Sequence, residues 1–347
     1  MAKNIEKIIN EKGESAKSLD AVEIVRNLFS QLMDREKDVL NRRFGLNGFK
    51  SETLEKIGGL HKLTRERVRQ IEAASISKIK KLENLEEYIS DLKEAVYDLL
   101  DQHGGVIRRD YLLDILTVIA LEMRDEETID SPANDELRLA YRNHFDFLLS
   151  KLLSDDVDLI KKSDKFHPAF KLRNKEVNYL EELADSLLEK VDSLKKTFKT
   201  EELIELLKQL EAYNRYQSEI NKGDSNIEQV FKSKTFPDKA EIINNNKVLY
   251  ALLQAIKNLE RNKFGEWGIA NWHEIKPKTI NDKIYLVLKH EGAPLHFTAI
   301  ADKINEIKFD KKKANAATVH NELILDNRYV LVSRGTYGLK EWQEQEK

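Results

Sequence analysis

The sequence predicts a mainly α-helical chain of several domains. Three observations carry that expectation. The 347 residues contain only 13 Gly and 5 Pro, and charged residues make up 34% of them, so helix breakers are scarce and Lys and Glu are abundant. At about 150 residues per domain, the length holds two or three domains. Apolar residues recur at helical spacing near the N-terminus, whereas alternating runs beside turn residues appear mainly late in the chain.

Composition removes several function classes. Lys and Arg number 58 against 61 Asp and Glu, a net charge of −3. A chain this balanced is not a globally basic nucleic-acid coat, so any DNA contact must come from a local patch. There is no Cys, which excludes disulfides, thiolate zinc sites and Cys nucleophiles. The segment Met1 to Lys7 is polar, and the densest apolar stretch, Ile115 to Leu121, is far shorter than the roughly 18–20 residues that span a bilayer. The expectation is a cytoplasmic, nucleoid-associated protein with no membrane partner.

Catalytic signatures are absent. No two glycines are spaced Gly-x-Gly, and no Gly-x-x-x-x-Gly-Lys loop or Gly-x-Ser-x-Gly elbow occurs. This removes the usual dinucleotide, P-loop and hydrolase motifs. His273-Glu274 begins like a zinc-protease motif, but Pro277 stands where the second His belongs and would break the helix that motif needs. The expectation is that the chain is not an enzyme and holds no metal, cofactor or small molecule.

The informative stretch runs from Leu32 to Leu82. Asp34 to Leu40 reads as a short amphipathic helix, with Gly45 placed for a left-handed C-cap. Ser51-Glu52-Thr53 opens a second short helix, and Gly58-Gly59 lets a neighbouring backbone come close. Leu60 to Leu63 supplies the three- or four-residue turn of a helix-turn-helix, and Thr64 suits the N-cap of a third helix. At about 100° per residue, Val68, Ile71, Ser75, Ile79 and Leu82 form one narrow stripe for the core. Glu66, Arg69, Gln70, Ala73 and Ser77 fall opposite, and Arg65 lies on the flank. Long polar side chains at the start of the exposed face, with small residues behind them, suit a helix entering a major groove. From His61 to Lys81 there are seven Lys or Arg against two Glu, a local basic footprint. The bland alternative is that these arginines only solvate one helix of a bundle.

These residues resemble region four of the primary bacterial sigma factors, the module that reads the upstream, minus-35 promoter hexamer. The matching words are Arg35-Glu36, Val39-Leu40, Arg43-Phe44-Gly45-Leu46, Thr53 to Gly58, and Thr64-Arg65-Glu66-Arg67-Val68-Arg69-Gln70-Ile71-Glu72. By position, the resemblance implies that Arg65, Glu66 and Gln70 face base edges. It implies that Arg67, Arg69 and Arg43 contact phosphates or steady the helix, with Thr64 and Lys78 in the same phosphate set. It also implies RNA polymerase as a partner, through the flap of its β subunit. There are departures. About thirty residues precede the module and hold no aromatic cluster, so promoter melting is not expected. Ala74 to Ser77 is less basic than the family pattern.

The rest of the chain contains an echo. Trp267 to Trp272 and Tyr337 to Trp342 share the pattern aromatic-Gly-aliphatic-x-x-Trp. Each follows a helical segment, Lys247 to Leu259 and Ala314 to Asp326. A weaker copy runs from Leu148 to Leu172, with a turn at Ser163 to Lys165. Tyr329 to Ser333 alternates like a half-buried strand, and Arg334-Gly335-Thr336 suits a hairpin turn. Helix, helix and hairpin is the winged-helix order. The four aromatics of the echo are expected to fill small cores rather than to stack on bases.

Asp282 to Trp342 resembles the HARE-HTH domain, a winged-helix module. The matching words are Ile284 to Leu288, Pro294 to Ala301, Thr318 to Leu323, and Arg328 to Val332 running into Gly335 to Leu339. The resemblance implies DNA or polymerase binding, with a second contact set at Lys312, Lys313, Asn315 and Thr318. That Lys311 to Lys313 form only a solvated loop stays an even alternative. Leu85 to Leu100 reads as a connecting helix, Asp125 to Asn134 as an acidic loop, and Glu176 to Lys195 as a charged helical spacer. Lys222 to Ser225 and Lys234 to Asp238 read as loops.

The expected architecture is thus mainly α, with an N-terminal helix-turn-helix domain (1–84) and tandem winged-helix units with small hairpin wings (85–175, 176–275 and 276–347). The expected function is sequence-specific reading of promoter-type double-stranded DNA within bacterial transcription initiation. A polymerase accessory protein acting by protein contacts is the main alternative, and a nuclease-associated DNA reader is a weaker one.

Overall fold

The computed structural model describes residues 19–122, 135–153, 157–161, 163–220 and 225–344. It is mainly helical, with three small antiparallel sheets. The chain divides into two compact units, Met1–Ala184 with Leu207–Ile256, and Asp185–Leu206 with Lys257–Lys347. Among the described residues no helix is long and apolar enough to cross a membrane. Asp125 to Asn134, Lys222 to Asp224 and Met1 to Lys7 lie outside the described residues.

The first unit opens with α1 (Ala21–Phe29), α2 (Asp34–Phe44), α3 (Leu54–His61) and α4 (Arg65–Lys80). Gly45 closes α2 with φ +67°, and a Cβ there would sit 2.3 Å from the carbonyl oxygen of Phe49. Glycine alone meets both conditions cheaply. Gly58 makes the expected close approach, since a Cβ would lie 2.6 Å from the Leu63 carbonyl oxygen. Gly59 does not, because nothing lies within 4 Å of it. The turn between α3 and α4 is shorter than the sequence implies: α3 continues to His61 and Lys62 caps it in the left-handed region at φ 55°. Val39, Ile57 and Val68 are fully buried at the centre of these three helices, with Leu54, Leu63 and Ile71 around them.

Next come α5 (Leu85–Gln102), β1 (Val106–Arg108), α6 (Arg109–Glu122) and α7 (Asp135–Phe147). A π-helical turn at Leu148–Leu152 leads to β2 (Val157–Ile160) and β3 (Ala169–Leu172). The sheet order is β1-β3-β2, with Val106 opposite Lys171 and Val157 opposite Leu172. α5 is not a mere connector. Its Leu92, Ala95, Val96, Leu99 and Leu100 are all buried in the main core, because one face of the helix is continuously apolar at helical spacing.

The helix-turn-helix also shares that core, which a boundary at residue 84 does not anticipate. Leu40, Leu46 and Ile79 belong to the same cluster as α5, α6 and α7. The Phe147 ring packs against Phe44 at 4.9 Å and Phe29 at 5.8 Å between centroids. Asn143 donates to the Gly45 carbonyl at 2.8 Å. The buried Tyr141 hydroxyl donates to Asp20 at 2.9 Å, and Asp20 in turn accepts from the first backbone amides of α1.

α8 (Asn178–Leu194) begins in the first unit and ends in the second, and α9 (Thr200–Lys208) returns. α8 is more than a spacer, since Leu180, Leu183, Leu187 and Val191 are buried. α10 (Glu211–Ile220), α11 (Glu228–Phe231), α12 (Ala240–Asn245) and α13 (Lys247–Ala255) complete the first unit. The stretch 176–275 is therefore divided between the two units. Lys234 to Asp238 is a loop, as expected.

The second unit holds β4 (Leu259–Arg261) paired with β5 (Trp267–Ile269), and an isolated bridge from Phe198 to Trp267. Trp267 is buried and donates to the Thr200 hydroxyl at 2.9 Å. Then follow α14 (Ile280–Glu291), β6 (Leu295–His296), α15 (Phe297–Ile307), α16 (Ala316–Leu325), β7 (Tyr329–Ser333), β8 (Thr336–Leu339) and α17 (Lys340–Glu344). The hairpin turns at Arg334-Gly335, with Gly335 at φ +69°. The sheet order β6-β8-β7 repeats that of the first sheet. Ile284, Leu288, Ile300, Val319, Leu323 and Tyr337 fill this core, and Trp342 packs on it.

Candidate nucleic-acid interface

The surface of α4 follows from its stripe. Val68, Ser75 and Ile79 are buried, while Arg65, Glu66, Arg67, Arg69, Gln70, Ala73 and Ser77 are exposed. Thr64 adopts an extended conformation, and its hydroxyl accepts from the Arg67 amide at 3.2 Å. That cap starts the helix cleanly and leaves its first turn pointing outward.

The exposed cations are organised by carboxylates. Arg69 grips Glu66 through two bonds of 2.9 and 2.7 Å, a forked charge-assisted geometry. The Arg69 hydrogen bond holds the Glu66 carboxyl below its usual range. Arg65 reaches back across the turn to Glu55 at 3.1 Å. Arg67 donates to the Gln70 side-chain oxygen at 3.1 Å. Pairs this exposed contribute little and exchange readily for a stronger anion.

Two residues of the phosphate set sit differently. Arg43 bonds Glu72 at 3.2 Å and the Glu52 carbonyl at 3.3 Å. Lys78 bonds Glu36, and that bond, ahead of the Met33 backbone bond, lowers the Glu36 carboxyl. Both carboxylates are only 14% exposed. Arg43 and Lys78 thus brace α2 against α4. Asp38 ties α2 to α3 instead, taking Arg42 of its own helix and His61 of α3 together. Burial alone would raise its carboxyl, but those two bonds hold it below the usual range.

The second contact set lies at the start of α16. Lys311, Lys312 and Lys313 are exposed. The Asn315 side-chain oxygen is occupied as the N-cap, accepting from the Ala317 amide at 2.8 Å. Thr318 is exposed. Sequence reasoning missed Glu55 and Glu36 because their partners lie across a turn or on another helix. Among the described residues, no group of three or more His, Cys, Asp or Glu could hold a metal.

Residues 28–81 match the family "Sigma-70, region 4". The matched segment contains α2, α3 and α4 entire. The chain is 47% identical over 58 residues to RNA polymerase sigma factor SigA1 of Synechococcus elongatus, covering 17% of this chain and 14% of that one. It is 53% identical over 49 residues to RNA polymerase sigma factor SigA of Lactococcus lactis subsp. cremoris, covering 14% of each. The chain therefore spans about one seventh of the length of these curated relatives. No solved structure matches the chain.

Proposed function

We propose that the protein is a DNA-binding transcription protein that reads promoter-type double-stranded DNA through α4 and acts alongside RNA polymerase in the bacterial cytoplasm, at the nucleoid. The observation that carries this reading is the first turn of α4. It is capped by Thr64 and carries exposed Arg65 and Glu66, with exposed Gln70 one turn further on, and it lies within the sigma-70 region 4 match. In this reading those three residues face base edges, while Arg67, Arg69 and the Thr64 hydroxyl hold phosphates. Arg43 and Lys78 steady the helix. Polymerase binding follows the relatives named above, and the β-subunit flap is the proposed docking point. In this reading the protein acts by binding alone, without catalysis, cofactor or metal.

The two three-stranded sheets support a further part of the proposal. Each belongs to the order helix, strand, helix, helix, strand, strand, which is the order of a winged helix. We read the first as a structural unit and the last as a HARE-HTH-like unit that contacts the duplex near Lys312, Lys313 and Thr318. A second reading is an accessory protein that acts on polymerase by protein contacts. The observation in its favour is that Arg65, Arg69, Arg43 and Lys78 already hold carboxylates of this chain. A mobility shift on promoter DNA, run beside a pull-down with core polymerase, separates the two. The first reading expects both to be positive, and the second expects only the pull-down.

A further inference from the structure

The outward face of α16 has a composition that the base-pair code can interpret. Ala317, Thr318, Asn321, Ile324 and Leu325 are its exposed residues. At about 100° per residue they occupy an arc of roughly 120°, opposite the buried Val319 and Leu323. Ile324 is 60% exposed and Leu325 81%, so this face has no partner among the described residues. The helix is nonetheless firmly seated. His320 lies between the rings of Phe297, at 4.5 Å, and Tyr337, at 5.9 Å.

We infer that α16 reads A·T base pairs in the major groove, with Asn321 as the adenine-reading residue and the methyl-bearing side chains beside it as thymine-methyl contacts. The inference rests on reading the last motif as a duplex-contacting unit, and it specifies what that unit recognises. Guanine is read by Arg or Lys, and cytosine by Asp or Glu. None of these stands among the exposed residues of this face. An amide suits the N6 and N7 edge of adenine, and apolar groups suit the thymine C5-methyl. Asn315 cannot do this work with its oxygen, which is committed to the cap. Asn321 is exposed, and its side-chain amide makes no hydrogen bond among the described residues. Charge complementarity names a duplex as the occupant. Lys311 and Lys313 at the head of the helix and Arg334 at the hairpin tip are exposed and hold no carboxylate among the described residues, so they can take phosphates on either side of the groove.

The test uses the full chain and three duplexes of equal length that lack a promoter hexamer. One is A·T-rich, the second is the same with deoxyuridine for every thymidine, and the third is G·C-rich. Expected affinities fall in that order, because deoxyuridine removes only the methyl group. Asn321→Ala cuts the preference for A·T over G·C by about 5- to 100-fold, and Leu325→Glu, at a position too exposed to affect folding, weakens all three. Gln70→Ala leaves the order intact. Equal affinity for the thymidine and deoxyuridine duplexes, or a preference for A·T over G·C that Asn321→Ala leaves unchanged in size, overturns the inference. If Lys312→Glu with Lys313→Glu changes nothing, the last motif does not touch DNA and the broader reading of it fails instead.

Discussion

In the motif that runs from α5 to β3, the third helix is α7, and Phe147 at its end packs between Phe29 and Phe44. In the motif that runs from α14 to β8, the third helix is α16, and Leu325 at its end is 81% exposed. Both sheets have the same strand order. What differs is the outward face. On α7 the side chains that meet the helix-turn-helix region are occupied: Tyr141 bonds Asp20, Asn143 bonds the Gly45 carbonyl, and Phe147 packs on Phe29 and Phe44. On α16 the corresponding face is short, polar at its start and aliphatic at its end. The same order of elements therefore serves as a platform for the helix-turn-helix in one place and as a free surface in the other. Topology does not decide the role of a helix; the residues on its outer stripe do.

The sharpest way to break this comparison is to empty the α7 interface. Phe147→Ala should cost about 3–5 kcal/mol of stability in the first unit, whereas Leu325→Ala should stay within about 0.5 kcal/mol. Denaturant unfolding checks both, and equal small effects would show that α7 is not a committed platform.

Acid should act on the same side. Burial holds the His103 imidazole down at about 4, against an ordinary value of 6.5. The folded state then stays neutral where the unfolded chain takes up a proton. Stability is complete above about pH 6.5 and drains as the pH falls toward about 4, by roughly 3 kcal/mol. His144, also lowered by burial, adds in the same direction. A stability profile that stays flat between pH 7 and pH 5 contradicts this.

Arg69 offers a smaller effect. Arg69→Ala should weaken binding to all duplexes alike and reduce the slope of log affinity against log salt by about one. A change confined to one sequence would move Arg69 into the base-reading set.

The smallest predictions concern the entry turns of the two third helices in the helix-turn-helix and the last motif. Lys62 and Lys308 both cap the preceding helix at positive φ, 55° and 53°. Lys62→Gly and Lys308→Gly should each raise stability by about 1 kcal/mol or less, since glycine carries no penalty there. A loss of stability would mean that the lysine side chains do more than occupy the turn.

Much of the candidate interface was legible because it depends on local rules. The α4 stripe, the Thr64 cap, the Gly45 terminus and the Arg334-Gly335 turn all follow from spacing and from residues with special backbone preferences. α1 (Ala21–Phe29) was not read from the sequence, because what seats it is distant in the chain. The partner of Asp20, Tyr141, lies 121 residues away. The pairing of Arg65 with Glu55, and of Lys78 with Glu36, depends on how helices cross, which periodicity does not encode. Assigning Asn315 to contact rather than to capping was a competition between two roles of one side chain, and the helix start won it.

The account stands most directly on what Arg65 and Gln70 do to sequence choice. Selection of bound duplexes from a randomised pool, with the wild-type chain and with Arg65→Ala and Gln70→Ala, measures it. The wild type should enrich one promoter-like motif, and each variant should flatten it at one or two adjacent base pairs, a loss of about 1–3 kcal/mol of discrimination. If the enriched motif is the same in all three, α4 does not read bases and the proposed function is wrong.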